Sequence, residues 1–198
     1  MRKKSETLDI LLDKNLGYLK TADAIKAGIS KVYLSNYVCK HNLERVSHGL
    51  YMSQDAWTDD LYVIQTRYPR AIFSHETALY LLGLGEREPT QYSVTLKTSM
   101  SATNLSKQGI KVYKIKEELF DLGLIKTKSP VGHLLRSYNA ERTICDLVRS
   151  RSTVEIQDLQ SALKEYFRKK EKNIPQLMRY AKLLSVENII RHYTEVLL

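Results

Sequence analysis

The chain has 198 residues, with 31 Lys and Arg against 22 Asp and Glu, a formal charge of +9 and a hydrophobic fraction of 43%. That composition suits a packed core in one ordinary domain or two small ones, and it excludes a disordered polyelectrolyte. No apolar run approaches the roughly 20 residues that span a bilayer, and the N-terminus MRKKSETLDILLDKN mixes acids into its apolar stretch, unlike a secretory signal. Cys39 and Cys145 stand far apart, which supports neither a disulfide framework nor a structural zinc site. The expectation is a soluble, cytoplasmic protein with two buried thiols and no membrane segment. Its positive charge favours nucleic acid or an acidic partner.

In chain order, Leu8, Leu11 and Leu12 repeat at helical spacing, and Asn15 with Gly17 supplies a stop, which predicts a first helix over residues 4–14. Residues 18–20 are short and extended. Thr21 caps a second, two-turn helix with Ala24, Ile25 and Ala27 facing inward before Gly28 ends it. Ser30 then caps a third helix in which Leu34, Tyr37, Val38 and His41 share one face. Residues 43–46 and 50–52, separated by Ser47-His48-Gly49, read as a hairpin. Helix, helix, turn, helix, hairpin is the order of a winged helix-turn-helix, here residues 1–54.

A junction follows near residue 55, and residues 55–198 are expected to form a larger α+β domain. Helices are predicted over residues 59–68 and 74–82, and a sheet of about four strands over 92–96, 110–115, 122–126 and 133–138. The final third is helical, over 139–148, 154–168, 175–184 and 186–197. The fold class is therefore α+β: an N-terminal winged helix-turn-helix, then a mixed domain with a small β-sheet and a helical C-terminal part.

In a helix-turn-helix the third helix enters the major groove, and its outward face reaches base edges. Projected at about 100° per residue, the outward face here carries Val32, Tyr33, Asn36 and Lys40, with Ser35 beside it. Asn36 can pair bidentately with adenine, Lys31 and Lys40 can reach phosphate or guanine, and Tyr33 can meet phosphate or sugar. Lys20 and Thr21, opening the second helix, are phosphate-contact candidates, and Arg45 and His48 in the wing can reach a minor groove or the backbone. Each is equally readable as plain surface, and Arg2, Lys3 and Lys4 as either a basic arm or an ordinary charged terminus.

Ser74-His75-Glu76 reads as a helix cap and not as catalytic machinery, since adjacent residues on a helix do not face one another. The histidines at 41, 48, 75, 133 and 192 have no metal-ligand spacing, and no glycine-rich phosphate loop occurs. No metal, cofactor or catalytic residue is expected. Arg142 and Asp146, at i and i+4, read as an exposed ion pair. Arg136, Arg142, Arg149 and Arg151 fit either an acidic protein or RNA partner or a solvated helix edge.

Four segments carry a family resemblance: Gly17–Ile29, Leu43–Tyr51, Phe73–Leu84 and Tyr138–Asp146. Together they resemble the bacterial AbiEi-type antitoxins, the antitoxin half of abortive-infection type IV toxin-antitoxin pairs. The resemblance implies a winged helix that binds inverted repeats in its own promoter and represses transcription; a palindrome read one domain per half-site needs two paired chains or two separately bound monomers. It also implies a C-terminal domain that neutralises a co-expressed nucleotidyltransferase-like toxin. Two other functions remain open from the residues: an adaptor whose winged helix binds protein without specific DNA binding, and a nuclease or transferase of unrecognised chemistry. The basic outer face of the third helix favours DNA over both.

Overall fold

The computed structural model describes residues 3–85 and 87–197. The chain packs as two compact units, one of residues 1–69 with 128–135 and the other of residues 70–127 with 136–198. The boundary expected near residue 55 falls inside the first unit, because the helix that follows it packs there.

The first unit runs α1 (Lys4–Lys14), β1 (Tyr18–Lys20), α2 (Thr21–Lys26), α3 (Lys31–Lys40), β2 (Glu44–Ser47), β3 (Leu50–Met52) and α4 (Asp60–Arg67). Its three-stranded antiparallel sheet has the order β1-β3-β2, pairing Leu19 with Tyr51 and Arg45 with Tyr51 on the other side. Leu8, Leu19, Ala24, Ile29, Leu34, Tyr37 and Leu43 close one core, to which each of the three helices contributes at least one apolar side chain. Ile25 and Ala27 do not, being exposed: a two-turn helix has room for one inward position, and Ala24 takes it. Gly17 ends the α1 loop at φ +84°, where a Cβ would lie 2.5 Å from that of Ala56, so the turn admits only glycine. Lys3 and Lys4 cap and begin α1 and form no free arm, while Arg2 lies outside the described residues.

The second unit holds β4 (Ile72–Phe73), α5 (His75–Leu81), β5 (Ser93–Lys97), α6 (Thr103–Ser106), β6 (Lys111–Ile115), most of β7 (Leu124–Lys128) and of β8 (Leu134–Tyr138), α7 (Ala140–Arg149), α8 (Ile156–Arg168), α9 (Ile174–Leu183) and α10 (Glu187–Leu197). The sheet has five strands in the order β6-β5-β4-β8-β7, mixed in direction. The fifth strand is β4, two residues long, too short to show period-two alternation. Its main core gathers Ile72, Tyr138, Leu147, Leu159, Leu163, Leu177 and Ile190 with their neighbours. α7 is buried from Glu141 through Val148. Among the described residues no helix is long and apolar enough to cross a membrane.

Candidate nucleic-acid interface

The geometry of α3 follows from its cap and its two inward residues. Ser30 Oγ accepts the backbone N–H of Tyr33 at 3.3 Å, satisfying one of the free donors at the helix start. Leu34 and Tyr37 point into the core. The Tyr37 hydroxyl donates to Asp9 Oδ1 of α1, and burial followed by that bond pushes the phenol well above its ordinary value, keeping it a neutral donor. With that side anchored, Lys31, Ser35, Asn36 and Lys40 are exposed on the other. Tyr33 is half-buried against the core cluster, with Lys4 Nζ 5.7 Å from its ring centroid. His41 is also exposed, stacked on Tyr37 at 4.2 Å, and does not share the inner face.

The start of α2 and the wing turn form a second group. The Thr21 N–H donates to the Gly49 carbonyl at 2.8 Å, so that donor is spent inside the fold and is not offered to a phosphate. Lys20 is paired across the sheet with Leu50, and its ammonium lies 4.6 Å over the Tyr62 ring, a favourable seat for a cation. Arg45 and His48 are exposed and adjacent, with Arg45 Nη2 3.1 Å from His48 Nδ1. The fold therefore gathers Lys20 and Thr21 beside the wing turn, joins Arg45 to His48, and presents Lys31, Ser35, Asn36 and Lys40 from one helix.

A basic, polar face on the third helix with a hairpin beyond it is the arrangement of a DNA-reading winged helix. Residues 6–54 match the family described as "Transcriptional regulator, AbiEi antitoxin". The AbiEi match takes in most of α1 and everything from β1 through β3, and so places this segment with transcriptional regulators. No curated protein matches the chain. Among solved structures it is similar to the crystal structure of the RV2827C protein from Mycobacterium tuberculosis. That likeness has a TM-score of 0.59 and 15% identity, and it covers 90% of this chain and 70% of that one; it is a likeness of fold.

Two buried polar clusters lie beyond the AbiEi-matched segment. In the first unit Asp59 caps α4 by accepting from Tyr62 N at 3.0 Å, while its other oxygen accepts from Ser129 Oγ and from His133 Nδ1 at 2.6 Å. His133 Nε2 lies 3.2 Å from the Asn15 carbonyl, and its ring stacks on Tyr62 at 3.8 Å. Burial opposes ionisation of Asp59, but the bonds from His133, Ser129 and Tyr62 prevail and hold its carboxyl below the usual range. Nothing in the sequence marks this cluster, whose members are up to 118 residues apart.

In the second unit the four arginines singled out from their charge divide. Arg142 is fully buried and no part of any surface: its Nε donates to Asp146 at 2.9 Å, its Nη1 to the carbonyls of Leu119 and Leu122, and its guanidinium lies 4.3 Å over Tyr138. The exposed ion pair expected there is a core pair, because three carbonyl and carboxylate acceptors converge on one guanidinium. Gly123, at φ +76°, would set a Cβ 2.6 Å from that of Arg142. Arg136 is half-buried beside Asp121, Arg149 is half-buried, and Arg151 is exposed.

Ser74 occupies the cap position of α5, but its hydroxyl does not cap the backbone. It accepts from Thr95 Oγ1 at 2.9 Å and meets His75 Nδ1 at 3.0 Å. His75 is buried at φ +49°, stacked 3.4 Å from the Tyr113 ring, with Nε2 3.1 Å from Ser150 Oγ. Burial first, then the cations Arg149, Lys111 and Arg142, holds it far below the ordinary histidine range, so it is a neutral core residue. Of the two thiols, Cys145 is buried and pushed up to about 12 by burial. Cys39 is exposed on α3 and is not the buried thiol expected, since it lies off the Leu34–Tyr37 stripe.

Proposed function

We propose that this chain is an autoregulating antitoxin of a type IV toxin-antitoxin pair. Its winged helix binds inverted repeats in its own promoter and represses transcription, and its second unit neutralises a co-expressed nucleotidyltransferase-like toxin. It acts in the cytoplasm by binding and catalyses nothing itself. The observation that carries this proposal is the exposed stripe of Lys31, Ser35, Asn36 and Lys40 on α3, inside the segment that matches the AbiEi antitoxin regulators.

On DNA, α3 lies in the major groove, where Asn36 pairs with adenine N6 and N7, and Lys31 and Lys40 reach guanine or phosphate. Tyr33, Ser35, Lys20, Thr21, Arg45 and His48 contact the backbone and set the register. An inverted repeat needs one winged helix per half-site, so two chains occupy one operator. On the toxin side, Arg136, Arg149 and Arg151 are the cationic residues offered to a partner.

The test is a gel-shift titration of the full chain on about 200 base pairs upstream of its own gene, against unrelated DNA at the same salt. A preference of about a thousandfold or more supports a specific repressor. Equal, weak binding to both overturns it in favour of a protein-binding adaptor. Co-expression with the neighbouring gene tests the second half: the wild-type chain restores growth, and an Arg136→Ala, Arg149→Ala, Arg151→Ala triple variant loses that rescue.

A further inference from the structure

Val32 stands in the first turn of α3 and is 73% exposed. Isolated exposed apolar side chains are common and need no purpose; what distinguishes this one is its place. It precedes Asn36 by four residues and Lys40 by eight, so the three side chains form one outward row, spaced about 6 Å apart along the helix axis. Lys31 and Ser35, beside it, are exposed as well. The demands of the fold do not call for valine here. Leu34 and Tyr37 serve the core, and a β-branched side chain is a weaker helix former than lysine, glutamine or alanine.

Resting on α3 as the groove-reading helix, we propose that Val32 is a specificity residue that reads a thymine through its C5-methyl group. In the major groove the only apolar feature of a base edge is that methyl, and an aliphatic side chain without donors or acceptors is suited to bury it. Asn36, one turn further along, reads adenine. A separation of about 6 Å along the helix and a base step of about 3.4 Å place the thymine one or two base pairs from that adenine. The contact is hydrophobic, so it contributes discrimination without adding to the salt dependence that Lys31 and Lys40 bring.

The experiment uses the full chain and the DNA segment it protects upstream of its gene, with each dT replaced singly by dU, which removes the methyl and keeps every hydrogen-bonding group. One position per half-site, close to an adenine whose replacement is also costly, loses about fourfold in affinity, the value of one buried methyl. The Val32→Ser protein binds the unmodified site more weakly and shows no further loss at that dU. Val32→Ala, which keeps the helix and shortens the side chain, reduces the dU effect.

Three results overturn the assignment. If no dT→dU exchange matters while Asn36→Ala still relaxes specificity, or if Val32→Ser keeps the full dU penalty, Val32 reads no methyl and the repressor function stands. If the chain shows no preference for its upstream DNA, the repressor function fails and the assignment with it.

Discussion

Helices α3 and α7 are both ten residues long, and both begin on a side-chain cap, Ser30 in one and Asn139 in the other. They are used in opposite ways. α3 buries Leu34 and Tyr37 and leaves Lys31, Ser35, Asn36 and Lys40 in solvent, whereas α7 is buried from Glu141 to Val148 and keeps Glu141, Arg142 and Asp146 inside, with, of its charges, only Arg149 at its end half-buried. Lys31, Ser35, Asn36 and Lys40 on α3 therefore face solvent, whereas Glu141, Arg142 and Asp146 on α7 are committed to the fold. The difference lies in the surroundings: α3 has core on one side only, while α7 packs on α5, α8 and α9.

The largest expected effect tests the inward half of that contrast. Arg142→Ala leaves Asp146 buried without its cation and strands the Leu119 and Leu122 carbonyls, and it destabilises the second unit by about 3–5 kcal/mol in chemical unfolding. Unchanged stability would return Arg142 to the surface. Next comes Asp59→Asn, which removes the anion facing His133 and costs about 1.5–3 kcal/mol at pH 7. Because the Asp59 carboxyl is held below its ordinary value in the folded chain, its stabilisation is present above about pH 4 and fades as the pH falls further. A pH series of unfolding midpoints therefore drops on acidification less steeply for the variant than for the wild type.

The outward half is tested by binding. Asn36→Ala costs about 1–3 kcal/mol on the specific site and nearly nothing on unrelated DNA, read by paired titrations, while the unfolding midpoint stays put. Lys40→Ala has the smallest effect: a uniform weakening on all DNA and a salt slope lower by about one. If Lys40→Ala instead lowered stability, α3 would be doing structural work on its outer face as well.

The first unit was largely legible in the sequence because its signals are local. Ser30 as cap, Gly28 and Gly49 as turns and the Leu34–Tyr37 stripe each act within one turn of chain, and their order specifies the winged helix. What escaped was set by distant residues. An Arg and an Asp at i and i+4 look the same whether water or core surrounds them, and the acceptors that bury Arg142 lie 20 and 23 residues away. Ser74 has the spelling of a cap, but Thr95 and His75 occupy its hydroxyl. The outward face of α3 could be projected from its period alone, whereas Thr21's loss of its backbone donor to Gly49 depends on how β1 pairs with β3. His133 and Asp59 are 74 residues apart, and no spacing rule connects them.

That last separation matters to anyone who would treat the winged helix as a detachable part. The segment matching the regulators stops at residue 54, yet the compact unit containing it also includes α4 and residues 128–135. A fragment cut at residue 69 would keep the Asp59 carboxylate and lose both Ser129 and His133, exchanging a satisfied interior for an unmatched charge. Transplanting this winged helix into another chain, or grafting a foreign one here, therefore means moving two stretches of sequence together, the second running from the last residue of β7 into the start of β8.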